Sequence, residues 1–370
     1  MKKNIVYVFT SCKRSGPIRI MYNLILNLDR NKFNPILVTL YDEEDDSLLN
    51  DFLALGINHY KIHLSKKEIL LGKTKALKDL IKSFSPSIIH SMGVFPDYAV
   101  SRMKLGCQMI TLHNYMHEDY FAKFGCIKGF ILEKLQMYAV FHSKKVVTCS
   151  ESLAKLYKDK KRLNFDFIRN GVDTTQFDKV SDLCEKKDLR AKLGLPQDKL
   201  IFVYSGQFIE RKNQKFILDT FSKKELNNCL FVFLGDGVLL PRLRTCYSDN
   251  QLFVFLGNVA NVQDYLKASD FYISSSVSEG LPTGVLEAMA CGLPVILSNI
   301  PQHKEIIDVC PKAGLLFVLN SSEDCLRVID IILKEKYSDL SNSAYNCGHE
   351  ILDARTMANN YQHVYSEIGM

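Results

Sequence analysis

The sequence is short of several things that would each have pointed elsewhere. It has no apolar stretch long enough to span a bilayer. Its N-terminus, MKKNIVYVFTSC, puts only a short apolar run after two lysines, too short for a signal-peptide core and better suited to a buried first strand. There is no CxxC pair and no Cys/His cluster at zinc spacing. The 11 cysteines, an odd number, sit singly in apolar or mixed segments, as at Cys107, Cys149 and Cys291. That usage fits reduced cytosolic thiols packed as small hydrophobes, not a secreted disulfide framework. No tract reads as disordered and no short repeat recurs. No GxGxxG fingerprint follows the first strand of either half, which disfavours a nicotinamide enzyme. The string Leu71-Gly72-Lys73-Thr74 imitates the end of a Walker A loop, but Lys67 stands where the first glycine is needed.

What is present is a globular composition of 370 residues, enough for two domains of ordinary size, with 47% hydrophobic residues to fill their cores. The net charge of +6 is unevenly placed. Residues 1–179 carry 28 Lys and Arg against 18 Asp and Glu, and the remainder is net acidic. A basic first half suits something anionic, whether nucleic acid, a phospholipid surface or a phosphorylated substrate; a lysine-rich surface without a partner is the plainer alternative. Nucleic acid is disfavoured because no recognised binding module accompanies the charge.

Short apolar runs alternate with helical patterns. Residues 4–10, 34–40, 58–63, 87–90, 108–113 and 145–150 read as strands, with helices at 17–28, 73–84 and 128–141. Continuous apolar runs of this length belong in a sheet covered on both faces, and the alternation implies parallel strands with right-handed crossovers. The pattern restarts with strands at 199–205, 229–234, 252–256, 271–274, 294–297 and 314–318. The charged stretch 173–198, with its turn Gly194-Leu195-Pro196, is the natural boundary, and a helix is expected from about Arg355. The expected fold is α/β: two doubly wound domains, whose facing cleft would bind ligands at the carboxyl ends of the strands.

The most informative segment is SEGLPTGVLEAMACGLP, residues 278–294. A strand ends in serines, a glycine-bearing turn follows, and a helix opens near Pro282 or Thr283 and stops at Gly292. The free amides at such a start suit a diphosphate. Glu279 before the helix and Glu287 inside it can both accept hydrogen bonds from hydroxyls of one ligand; the plainer reading makes them a capping carboxylate and a solvated helix residue. Next comes SGQFIERKNQ, residues 205–214, between a strand and a helix. It places Arg211 and Lys212 at the sheet's carboxyl edge, where they can hold a diphosphate and offset the charge that grows as it leaves. In the first half, TSCKRSGPIR (residues 10–19) offers Gly16 for close backbone approach, with Arg19 just beyond. His90 and His113 end strands, where imidazole can donate to a sugar hydroxyl or simply be a satisfied core residue. The acidic run Asp42-Glu43-Glu44-Asp45-Asp46 reads as solvated charge, not as a metal site. Residues 121–130, FAKFGCIKGF, mix aromatics with lysines and suit either a membrane surface or a loop leading into a core-packed helix.

These residues resemble glycosyltransferase family 4, the retaining enzymes of GT-B fold, over nearly the whole chain. The E-x7-E pattern is matched by Glu279 and Glu287, with support from the Arg211-Lys212 pair, FLGDG (residues 233–237), IRNGVD (168–173) and MANNY (357–361). The resemblance implies two Rossmann-like domains, 1–172 on the acceptor side and 173–354 for the nucleotide sugar, with helix 355–370 crossing back. It implies a nucleoside diphosphate sugar donor, UDP-linked by analogy with the family, no cofactor and no metal, and a glycan or lipid-linked acceptor. Arg211 and Lys212 would hold the diphosphate. Glu279 with Gly280, Leu281, Pro282, Thr283 and Gly284 would hold the sugar and phosphate, and Glu287 the ribose. Gly16 would approach the diphosphate, and His113 would lie beside the transferred sugar. Gly206 would belong to the donor site, Gly235, Gly237, Asn258 and Val259 would lie near the ribose and base, and Arg19 and His90 toward the acceptor. Two departures are that Ser15 stands where a second glycine is frequent, and Asn114 where Asp is. Assembly of a bacterial surface polysaccharide, at the inner face of the membrane, is the implied context. A GT-B epimerase or phosphorylase, and a non-catalytic nucleotide-sugar or lipid-surface binding protein, are the alternatives.

Overall fold

The computed structural model describes residues 2–223 and 228–368. The described residues divide into two compact units, one made of residues 2–170 and 354–368, the other of residues 171–223 and 228–353.

In the first unit, strands β1 (Lys3–Phe9), β2 (Phe33–Thr39), β3 (Asn58–Lys61), β4 (Ile88–Met92), β5 (Gln108–Leu112), β6 (Lys145–Thr148) and β7 (Asp166–Phe167) form one sheet. Its order is β3-β2-β1-β4-β5-β6-β7, and every pair is parallel. β7 is a two-residue edge strand, DF, without the apolar signature that marks the others. β1 shows why its run is apolar throughout. Ile5, Tyr7 and Phe9 point to the face covered by helices Gly16–Leu26 and Ala354–Ile368, and Val6 and Val8 to the face covered by Lys75–Ser83 and Val94–Met103. The C-terminal helix is tied down by a buried polar chain. His90 Nδ1 lies 2.6 Å from the Tyr365 hydroxyl and Nε2 2.9 Å from Thr111 Oγ1, which in turn meets the Tyr361 hydroxyl.

One element departs from expectation. Residues 121–130 are not a loop. The chain is helical over Met116–His142 except at Gly125, whose φ of 75° breaks it. His117 and Glu133, 16 residues apart, are 2.9 Å from each other, and Tyr120 reaches Gln136. A straight helix would separate such pairs by roughly 24 Å, so the chain folds back at Gly125 into a helical hairpin.

The second unit repeats the plan with β8 (Leu200–Ser205), β9 (Cys229–Leu234), β10 (Phe253–Gly257), β11 (Phe271–Ser274), β12 (Val295–Ser298) and β13 (Gly314–Phe317), in the order β10-β9-β8-β11-β12-β13, all parallel. Its core is aromatic-rich, with Phe202, Phe231 and Phe253 among the packed rings. Two of the cysteines expected to sit singly are neighbours: Cys310, at the end of helix Pro301–Val309, and Cys347, in helix Tyr337–Glu350, have Cα atoms 6.1 Å apart although 37 residues separate them in sequence, and only helix packing brings them together. Both sheets are doubly wound, and their order reverses between β1 and β4 and between β8 and β11. Those reversals are where loops diverge at the carboxyl ends and leave room for a ligand.

Candidate active site

At the β8/β11 switch point the two most informative sequence segments meet. After β8, residues 206–209 lead into a short helical turn, Glu210–Lys212, closed by Asn213 in the left-handed region. After β11, the chain crosses Ser275 and Ser276 to Glu279. Backbone and side chain join the two loops: Val277 N donates to Arg211 O, and Ser275 Oγ to Asn213 O. Glu279, 5% exposed, is gripped from both sides, by Arg211 Nη1 at 2.8 Å and Lys212 Nζ at 2.6 Å. Arg211 Nη1 also donates to Ser278 O. Burial by itself would raise the Glu279 pKa, but the Lys212 ammonium and then the Arg211 guanidinium outweigh it and bring the carboxyl down to about 2. The cluster holds two cations and one anion, so it carries a net positive charge at neutral pH in a half-enclosed place. That is suited to an anion larger than the carboxylate it already holds.

Helix Thr283–Ala290 begins directly after this cluster. Pro282 stands at its N-cap, and no side chain caps its first amides. Glu279 is therefore not the capping carboxylate of the plainer reading, because its oxygens are turned to Arg211 and Lys212. Gly280, Leu281 and Pro282 are buried in the turn, while Thr283, Gly284 and Glu287 are half-buried along the helix start. Gly284 is required by space, since a Cβ there would lie 2.6 Å from the Tyr272 hydroxyl and 2.7 Å from Ser205 Oγ.

Beside the cluster, the ends of β9 and β10 bring together the other glycines. Gly206 N donates to Leu234 O and Gly235 N to Gly257 O. Gly235 has φ +120°, and a Cβ on it would sit 2.1 Å from Gly206 O. The loops carrying Gly206, Gly235 and Gly237 thus stack backbone against backbone. Asn258 and Val259 follow β10 on the same rim, with Asn258 exposed.

One residue of this neighbourhood escaped sequence reasoning. His303, in the helix after β12, is fully buried, with Nδ1 on Ser298 O at 2.9 Å and Nε2 without a partner. Burial lowers its pKa to about 4, against the pull of Glu279, which lies within electrostatic range. A histidine in the first turn of a helix that follows a strand with Pro301 was the available signal.

In the first unit, Gly16 opens helix Gly16–Leu26, capped by Ser15. Arg19 lies over the Tyr22 ring. The acidic run after β2 is not simply solvated. Glu43 accepts from Cys12 N at 2.8 Å and from Ser47 Oγ, Glu44 pairs with Lys13 and Asp46 with Arg14, so this run fastens the loop that precedes Gly16. His113, after β5, is held neutral because burial brings its pKa down to about 4, and its shielded Nε2 has no partner. His90 is different: it is fully buried with both ring nitrogens engaged, so no nitrogen is left for an acceptor, and its place is in the core.

Two parallel doubly wound sheets, the second carrying an Arg-Lys-Glu cluster beside an uncapped helix start, are the architecture of a GT-B glycosyltransferase. The comparisons agree. Residues 185–347 match the family described as Glycosyl transferases group 1, and residues 15–176 match Glycosyltransferase Family 4. The chain belongs to the GT4-type glycosyltransferases and is an enzyme of that class. It is 25% identical over 98% of its length, and 98% of the relative's, to the O-antigen biosynthesis glycosyltransferase WclY of Escherichia coli. It is 24% identical, over 85% of its length and 82% of the relative's, to the UDP-Gal:alpha-D-GlcNAc-diphosphoundecaprenol alpha-1,3-galactosyltransferase of the same organism. Anabaena HepE, solved in complex with UDP and glucose, shares the fold with a TM-score of 0.81 at 15% identity, covering 99% of this chain and 100% of that one.

Proposed function

We propose that this enzyme moves a sugar from a nucleoside diphosphate, UDP in particular, to a glycan or lipid-linked acceptor during assembly of a bacterial surface polysaccharide, with retention at the anomeric carbon. The observation that carries the donor side is the Arg211–Glu279–Lys212 cluster at the β8/β11 switch point, next to the uncapped start of helix Thr283–Ala290. The context is supported by relatives named for O-antigen biosynthesis, for a diphosphoundecaprenol acceptor and for monoglucosyldiacylglycerol synthesis, and by the UDP-bound fold neighbour.

In this reading the acceptor hydroxyl oxygen bonds to the anomeric carbon on the face from which the diphosphate departs. The carbon–oxygen bond to the β-phosphate breaks with its electron pair going to the phosphate, and the acceptor proton passes to a phosphate oxygen. Arg211 and Lys212 stabilise the charge that accumulates on the leaving group. Glu279 holds these two cations in place and accepts from sugar hydroxyls, Glu287 accepts from the ribose, and neutral His113 donates or accepts at the sugar without changing charge. No step of the proposal passes through a metal or cofactor.

The test is thermal stabilisation by a panel of nucleoside diphosphates and nucleotide sugars, with Arg211→Ala and Glu287→Ala alongside. Stabilisation by one nucleotide sugar that is lost in both variants supports the reading, and transfer from that donor to a lipid-linked acceptor completes it. No shift by any nucleotide at millimolar concentration would overturn it.

A further inference from the structure

The second arm of the helical hairpin is inside out. Its buried positions are Gly129, Glu133, Gln136, Ala139 and Val140. The two polar ones are satisfied by the protein: Glu133 by His117 and Lys161, and Gln136 by Asp97 Oδ2 at 2.6 Å and by Tyr120. Its solvent face carries the apolar residues. Ile127 is 80% exposed, Phe130 52%, Ile131 49% and Phe141 66%, and Phe124 at the turn is 49%. Positions 127, 130, 131, 138 and 141 recur at helical spacing, so they form one stripe about 21 Å long, with Lys134 set within it. Soluble surfaces rarely keep so continuous an apolar stripe uncovered.

The charge beside the stripe says what covers it. Between Tyr120 and Lys145 the sequence holds four lysines and one acidic residue, Glu133, which is buried against Lys161. Lys128, Lys134 and Lys144 are exposed, Lys123 pairs with Asp119 at 2.9 Å, and Glu118 is an exposed acid on the first arm. An apolar stripe flanked by more cations than anions is complementary to an anionic lipid surface, where the rings enter the acyl boundary and the ammonium groups meet phosphates. The hairpin also begins three residues after His113, so its first arm is continuous with the turn that carries this histidine.

We propose that the hairpin Met116–His142 is the membrane-docking element of this enzyme, and that it lies on an anionic phospholipid surface through Phe124, Ile127, Phe130 and Ile131, so that the end of β5 faces acceptors held in that surface. This rests on the lipid-linked acceptor in the proposed function.

The experiment is sedimentation of the full chain with phosphatidylcholine vesicles and with mixed phosphatidylcholine–phosphatidylglycerol vesicles. Wild type should sediment with the mixed vesicles and much less with the neutral ones, with binding that weakens as salt is raised. Ile127→Glu and Phe130→Glu should each weaken the partition by roughly tenfold or more. Because these side chains are exposed, the variants should keep the wild-type melting temperature and its stabilisation by a nucleoside diphosphate, which separates failure here from failure of the donor site. The chain has no tryptophan, so Phe124→Trp supplies a single reporter whose emission should shift to the blue on mixed vesicles. The proposal is overturned if wild type does not bind the mixed vesicles, or if the glutamate variants bind as wild type does. It is equally overturned if Ile127→Glu turns a dimer into a monomer, which would give the stripe to a second copy.

Discussion

Replacing Glu279 with glutamine removes one negative charge and keeps the shape, which isolates the electrostatic part of the cluster. Two independent magnitudes can be worked out. Lowering the carboxyl from its ordinary 4.5 to about 2 corresponds to about 3 kcal/mol of folding stability at neutral pH. Removing one partner of a buried ion pair costs about 3–5 kcal/mol, and the low end applies because Arg211 and Lys212 stay 22% and 16% exposed. The expected loss at pH 7 is therefore about 3 kcal/mol, or roughly 6–12 °C in the melting of a unit of this size. The pH dependence has a definite sign. The carboxyl is depressed in the folded state, so its contribution is complete well above 4.5 and fades as the pH falls toward 2. The gap between wild type and Glu279→Gln should halve by about pH 3. The assay is urea unfolding or calorimetry of both proteins from pH 7 down to the lowest pH at which they fold. A gap near zero at pH 7, or one that stays constant as the pH falls, would refute the argument that Arg211 and Lys212 hold Glu279 ionised.

Three further outcomes are expected. His90→Leu takes one hydrogen bond each from the Tyr365 hydroxyl and Thr111, which keep Tyr7 and Tyr361 as partners, and should cost about 1–3 kcal/mol in unfolding experiments while leaving stabilisation by a nucleotide unchanged. Gly235→Ala forces a Cβ to within 2.1 Å of Gly206 O at φ +120°, so calorimetry should show about 3 kcal/mol or more lost, with weaker nucleotide binding because the β8 and β9 loops must part. His113 is neutral down to about pH 4, so the kcat/KM profile from about pH 5.5 to 8 should keep its shape in His113→Gln although its height falls; a limb near pH 6.5 that disappears in the variant would show that the imidazole titrates there.

Several things were legible in the residues themselves. The alternation of apolar runs with helical periods identified twelve of the strands, because a parallel sheet covered on both faces needs unbroken apolar strands. The sequence-level order of strand, glycine-bearing turn and helix also placed Glu279, Arg211 and Lys212 at carboxyl ends of strands. That much is local chemistry: turn residues, helix punctuation and period. What it left open needed distances between residues far apart in the chain. Glu279 and the Arg211–Lys212 pair are 67 and 68 positions apart, and only the strand order β8–β11 makes them an ion cluster. His90 and His113 look alike in sequence, each at the end of an apolar strand. The C-terminal helix consumes both nitrogens of the first, and nothing consumes Nε2 of the second. The helix at 128–141 had the right period, but periodicity reports only that a face is apolar, not which way it turns. The fold at Gly125 and the pairing of Glu133 and Gln136 with inward partners turned the apolar face outward. Burial direction is a property of the whole assembly of elements, and no single stretch of sequence contains it.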